Sequence, residues 1–179
     1  SLFLFLISGS STSQDKVIQE LNDGWKFRRL GDTAWYSAKV PGTLHTDMLA
    51  NEMIPDPFLY DNANSLRWIE NESTEYMIEF IMTHSMTGKY TELVFEGLDT
   101  YADVFLNGKN ILNADNMFRR YRIPVNKYLR NGINKIQIFF YSPVKVSDSL
   151  QAMYYEENDI KGLPGKYNAF TRKAAYQYG

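Results

Sequence analysis

The chain has 179 residues, 44% hydrophobic and 15% aromatic, which suits the core of one domain of ordinary size and would be cramped for two. A formal net charge of -2 with 22% charged residues argues against a nucleic-acid backbone or an anionic membrane surface as partner. Cysteine is absent, which excludes disulfides, thiolate nucleophiles, iron–sulfur clusters and cysteine zinc sites, and His45 and His84 show no metal-ligand spacing, so no cofactor or metal is expected.

Leu2 to Ile7 form an unbroken apolar run, followed by small and polar residues from Ser8 to Ser13. This is the texture of a signal-peptide apolar region approaching its cleavage site, and the run is too short to span a bilayer. Residues 1–13 are therefore read as the remnant of a signal peptide, with an opening β-strand as the alternative; a periplasmic, extracellular or lysosomal destination is expected. Ile18, Trp25 and Phe27 begin an apolar pattern, and Trp25-Lys26-Phe27 alternates as a half-buried strand does. Trp35 to Val40 is stopped by Pro41-Gly42. Thr43 then stands as an N-cap for a short helix to about Glu52, with Leu44, Met48 and Leu49 on one face. Pro55 and Pro57 close it, and Tyr60 to Ser65, rich in Asn and Asp, reads as a loop.

The centre of the chain is more regular. Tyr76, Ile78, Phe80 and Met82 fall on one face of a strand, with Glu75 and Glu79 opposite. Glu92 to Leu98 and Tyr101 to Leu106 are further strands, and Asn107-Gly108 is a strong type I′ hairpin signal leading to a return strand at Ile111 and Leu112. Phe118 to Val125 is another strand. A second pair, Asn131-Gly132, precedes Ile133 to Tyr141, with Ile136, Ile138 and Phe140 on one face; Val146 to Glu157 is strand-poor and helical in texture. Strands at intervals of roughly 8–15 residues with Gly and Asn turns predict an all-β fold, an antiparallel jelly-roll-like β-sandwich with one or two short helices.

Several ordered segments resemble the sugar-binding sandwich of glycoside hydrolase family 2, and within it the β-mannosidases. They are Asn22-Asp23-Gly24-Trp25-Lys26-Phe27-Arg28, Val40-Pro41-Gly42-Thr43-Leu44-His45-Thr46-Asp47, Ile54-Pro55-Asp56-Pro57-Phe58, Phe95-Glu96-Gly97-Leu98-Asp99-Thr100-Tyr101-Ala102, Val104-Phe105-Leu106-Asn107-Gly108, and Arg172-Lys173 through Tyr178-Gly179. The resemblance implies that residues 14–179 are the galactose-binding-domain-like, N-terminal sandwich of a larger retaining β-mannosidase, with Ig-like and TIM-barrel domains to follow. It further implies that β-mannoside oligosaccharides or glycans are the substrates and that the sandwich packs against the barrel. Such chemistry needs two carboxyl groups about 5–5.5 Å apart, which the family carries as glutamates on the barrel, so no catalytic residue is expected in this chain. Arg172, Lys173 and Tyr178 are implied to frame the substrate pocket, since they precede the expected position of a Trp-Asp-Trp-Gly-Pro motif. A free-standing carbohydrate-binding module is the alternative reading.

Other residues invite functional readings. Asn51-Glu52 and Asn71-Glu72 have the family's acid/base dipeptide, but a helix end and a polar turn are not barrel strand ends, and both are read as surface carboxylates. Asn71-Glu72-Ser73 is also a glycosylation sequon. Tyr60, Asp56, Asp61, Asn62 and Asn64 suit either sugar hydroxyls or, better, turn chemistry. Phe118-Arg119-Arg120-Tyr121-Arg122 interleaves aromatic and basic residues, which a strand with one polar face explains. Trp25, Trp35 and Trp68 are read as core.

Overall fold

A computed structural model describes residues 4–9, 17–57, 59, 62–82 and 90–157. Its strands are β1 (Leu4–Gly9), β2 (Val17–Glu20), β3 (Lys26–Arg29), β4 (Tyr36–Ser37), β5 (Thr74–Met82), β6 (Tyr90–Phe95), β7 (Ala102–Leu106), β8 (Lys109–Ala114), β9 (Tyr121–Pro124) and β10 (Gly132–Phe140). The helices are α1 (Leu44–Ala50), the single turn α2 (Asn62–Ser65) and α3 (Pro143–Glu157), with 3₁₀ turns at Arg67–Asn71 and Asn126–Tyr128.

The strands form two sheets, ordered β2-β1-β6-β9 and β4-β3-β5-β10-β7-β8. Every pairing among the described residues is antiparallel. The opening apolar run, for which a strand is the alternative reading, is extended as β1 and pairs with β6. Between the sheets, the alternation predicted for β5 and β10 puts Ile78, Phe80, Met82, Ile136 and Ile138 into one core with Leu93 and Phe95 from β6 and Tyr121 from β9. Each such fully buried apolar side chain contributes roughly 1.5–3 kcal/mol. Trp25 is buried in the same core, and its Nε1 donates to the Leu21 carbonyl at 2.7 Å, so the indole N–H is not left unpaired.

The local signals act as their chemistry requires. Thr43 caps α1 in a capping box with Thr46, whose hydroxyl accepts the Thr43 N–H. Asn107 and Gly108 have φ of 51° and 79°, the two positive values that a type I′ turn demands. Several expectations need correction. Leu49 is exposed, because α1 turns Met48 and Asp47 inward instead. Tyr60 to Ser65 is not wholly loop: residues from Asn62 close a helical turn, with Ser65 Oγ donating to the Asn62 carbonyl. Glu75 is buried rather than facing solvent, for reasons given below. Of the three tryptophans only Trp25 is core; Trp35 is half-buried under Arg28 and Trp68 is exposed beside Arg29. The stretch Val146 to Glu157, helical in texture, lies within α3, which starts three residues earlier at Pro143.

Candidate functional site

The outer face of the six-stranded sheet is built by register. Arg28 lies opposite Glu75, Glu75 opposite Phe139, Phe139 opposite Asp103 and Asp103 opposite Asn113, giving one row across five strands. Arg28 donates from Nε and Nη2 to one Glu75 oxygen at 2.8 and 2.6 Å, and Gln137 Nε2 donates to the other at 2.8 Å. The Arg28 guanidinium also lies 4.4 Å from the Trp35 ring centre. These neighbours bury the Glu75 carboxylate although it projects from the outer surface. Farther along the row, Asp103 accepts from Tyr141 Oη at 2.7 Å and from Asn113 Nδ2. The hydrogen bond from its own hydroxyl to Asp103 holds the Tyr141 phenol up at about 12. The face is thus covered by its own salt-bridged and aromatic side chains, including the edge-to-face pair Phe105–Phe139.

A second polar cluster lies inside the fold. Asp47, 3% exposed, accepts from the Lys39 N–H and from Tyr76 Oη, each at 2.9 Å. Burial pushes its carboxyl above the usual range, against the pull of these two hydrogen bonds. Burial also drives Tyr76 well above its ordinary value, helped by the Asp47 charge. Tyr76 stacks on Phe27 and meets Phe140 edge-on, so α1 and the segment before it are tied to the core through one carboxylate. This cluster is a clamp, since both carboxylate oxygens are taken by the fold itself.

The residues singled out from sequence separate clearly. Asn51 is the C-cap of α1, its Nδ2 donating to the carbonyls of Ser37 and Asp47, and Glu52 follows exposed at φ 55°. Asn71 ends a 3₁₀ turn. Neither dipeptide lines the two cavities at the Asn107 end of the sandwich. Asn62 Nδ2 donates to the Asp56 carbonyl at 2.8 Å, the turn chemistry expected of that loop; Tyr60 and Asp61 lie outside the described residues. In the basic run, Arg120 pairs with Glu96 and Arg122 with Glu92, both on or beside the neighbouring strand, as a polar strand face requires. Arg172, Lys173 and Tyr178 lie outside the described residues. Sequence reading missed Asp47, Glu75 and the Asp103–Tyr141 pair, whose partners are distant along the chain.

Among the described residues no group of His, Cys, Asp or Glu is placed to hold a metal ion, and no helix is long and apolar enough to cross a membrane. Two open cavities at the Asn107 end of the sandwich have no Asp or Glu in their linings. What the described residues present is a scaffold of satisfied polar ladders around an apolar core.

Comparison with known proteins agrees with that architecture. A crystal structure of a β-D-mannosidase from Dictyoglomus thermophilum superposes with a TM-score of 0.78 at 35% identity, over 89% of this chain and 20% of that one. Beta-mannosidase B of Emericella nidulans is 34% identical over 164 residues, 89% of this chain and 20% of that protein. The goat beta-mannosidase is 33% identical over 145 residues, 80% of this chain and 16% of its own length. The chain thus spans about one fifth of the relatives it matches. The family described as the glycosyl hydrolase 2 galactose-binding domain-like domain matches residues 25–179, and the chain belongs to that family.

Proposed function

We propose that this chain is the accessory sandwich of a retaining β-mannosidase that removes terminal non-reducing β-D-mannose residues from β-mannosides. The observation that carries the reading is the similarity to β-mannosidases at 34–35% identity across 89% of the chain. A double displacement needs a nucleophile and an acid/base carboxyl about 5–5.5 Å apart, and the buried carboxylates Asp47 and Glu75 are engaged in the scaffold instead. The glutamates belong on a following barrel, against which the sandwich packs. Arg172, Lys173 and Tyr178 frame the mannose pocket, with the Arg fork suited to bracing a carboxylate of the barrel.

The test is an assay of the complete gene product on aryl β-mannoside, β-galactoside and β-glucuronide. Turnover of the mannoside is expected; turnover of only one of the others overturns the substrate assignment. The 179-residue chain alone is expected to be inactive, and measurable turnover by it refutes the accessory role. A secreted destination, with residues 1–13 as leader remnant, belongs to the same reading. Sequencing the amino terminus of the mature protein checks it: a start beyond Ser13 supports the leader, and retention of Leu4–Gly9 as β1 rejects it.

A further inference from the structure

The four-stranded sheet depends on its second strand. In the order β2-β1-β6-β9, β1 stands between β2 and β6, and it is the one strand paired with β2 among the described residues. Its register runs from Leu4 opposite Phe95 to Gly9 opposite Tyr90, so it covers the whole of β6. Thr91 turns its backbone the other way: its carbonyl accepts the Val125 N–H, and its N–H donates to Asn126 Oδ1. Backbone groups alternate sides along an antiparallel strand, so Glu92 and Val94 direct theirs toward β1. Leu93, Val94 and Phe95 are each no more than 1% exposed. With no strand in this place, the backbone groups of Glu92 and Val94 would lie unpaired along a buried edge, which folded proteins avoid.

Leu4–Gly9 does not carry the pattern that this place asks for. Cross-strand partners share a face, so positions opposite Leu93 and Phe95 belong to the core side and the position opposite Glu92 to the outer side. That outer side is polar, since Glu92 holds Arg122 from β9. A strand made for it alternates apolar with polar residues, as Lys135 to Ile138 does in β10. Leu4-Phe5-Leu6-Ile7 is apolar throughout and sets Ile7 opposite Glu92. An unbroken run of this kind is what the core of a leader requires. The family match, moreover, begins at Trp25, so β1 lies outside the matched domain although it fills the middle of a sheet.

We infer that in the mature protein the place between β2 and β6 belongs to a strand from the part of the polypeptide outside these 179 residues, and that the leader segment stands in for it here. The inference rests on the proposal that residues 1–13 are a leader and that the chain is one domain of a larger enzyme. The chain spans about one fifth of its relatives, which leaves ample sequence for such a strand. A segment tethered to the same polypeptide also reaches effective concentrations that a second copy does not. The occupant runs antiparallel to both neighbours over about six residues, is apolar opposite Leu93 and Phe95, is polar opposite Glu92 and has no internal proline. Residues 158–166 do not qualify, since they hold Gly162-Leu163-Pro164-Gly165, and Arg172, Lys173 and Tyr178 are assigned to the mannose pocket.

The experiment compares the complete gene product, expressed from residue 14 onward, with the 179-residue chain. Amide exchange is read at Glu92 and Val94, and Ile18→p-benzoylphenylalanine, at an exposed position of β2, reports by photo-labelling and mass spectrometry which segment lies alongside. In the complete product both amides are expected to exchange within roughly tenfold of Ile136 and Ile138, and the label to fall on a segment beyond Gly179. In the 179-residue chain the label is expected on Leu4–Gly9. Should the label disturb β2, the exchange rates of the unlabelled protein decide. Unprotected Glu92 and Val94 in the complete product, a label within residues 158–179, or a label on a second copy overturns the inference. So does a mature protein that retains Leu4–Gly9, because β1 is then the resident strand. Aryl β-mannoside turnover, measured on the same preparation, separates the two proposals: its absence beside a label beyond Gly179 defeats the mannosidase reading alone.

Discussion

Replacing Asp47 by Ala tests the clamp directly. The substitution removes the acceptor for the Lys39 N–H and for the buried Tyr76 hydroxyl. Hydrogen bonds to a charged group contribute about 1.5–3 kcal/mol each, and a stranded buried donor costs about 1–3 kcal/mol. Against this, the variant recovers the desolvation cost that holds the carboxyl above its usual range. The net loss worked from these terms is about 2–4 kcal/mol, equivalent to a melting temperature lower by roughly 4–16 °C for a domain of this size. Asp47→Asn is milder, near 1 kcal/mol, because its carbonyl still accepts from Lys39 and its amide can donate to Tyr76 Oη. The sign of the pH effect follows from the raised carboxyl. A group titrating higher in the fold than in the unfolded chain adds stability in acid and loses it as pH rises through its folded value. The advantage of native protein over Asp47→Asn is therefore largest below about pH 4 and shrinks above it. Urea denaturation at a series of pH values measures both quantities. A loss under about 1 kcal/mol for Asp47→Ala, or an advantage growing with pH, refutes the clamp.

Other outcomes follow from neighbouring geometry. Arg28→Ala strands the buried Glu75 carboxylate and should cost about 3–5 kcal/mol, more than Glu75→Ala, which leaves a guanidinium already one-third exposed; equilibrium unfolding ranks the two. The Tyr141 phenol, at about 12, should return toward its ordinary value in Asp103→Asn, as read by ultraviolet titration. Its raised value adds stability that persists below about pH 10 and is lost as pH climbs through the folded value. Gly42→Ala places a Cβ 2.2 Å from the Lys39 carbonyl oxygen, and thermal melts should show a loss of about 2 kcal/mol or more.

The sheet of this domain is written locally, and its polar chemistry is not. Ile136 and Ile138, or Tyr76 through Met82, alternate strongly enough that the core face follows from period two alone. Thr43 and Asn107-Gly108 act within three or four residues, so their signals survive without tertiary knowledge. Glu75 is different: its partners stand 47 and 62 positions away, and only strand register brings them together. The same is true of Asp103 with Tyr141, 38 positions apart. Helix α3 resisted full reading because Leu150, Met153 and Tyr154 are exposed and Ser147 is its buried residue, which leaves no apolar stripe turned to the core.

The two Asn-Gly pairs should also age at different rates. Succinimide formation at such a pair requires the side-chain carbonyl to swing onto the following backbone nitrogen. Asn107 is held by three hydrogen bonds, whereas Asn131 is exposed at the surface. Prolonged incubation at mildly alkaline pH should convert Asn131 first, visible as a one-dalton gain in its peptide. Conversion of Asn107 would turn its donor toward Tyr128 and Asn134 into a carboxylate facing two oxygens, so chemical damage there would unfasten the hairpin, while damage at Asn131 would pass unnoticed by the fold.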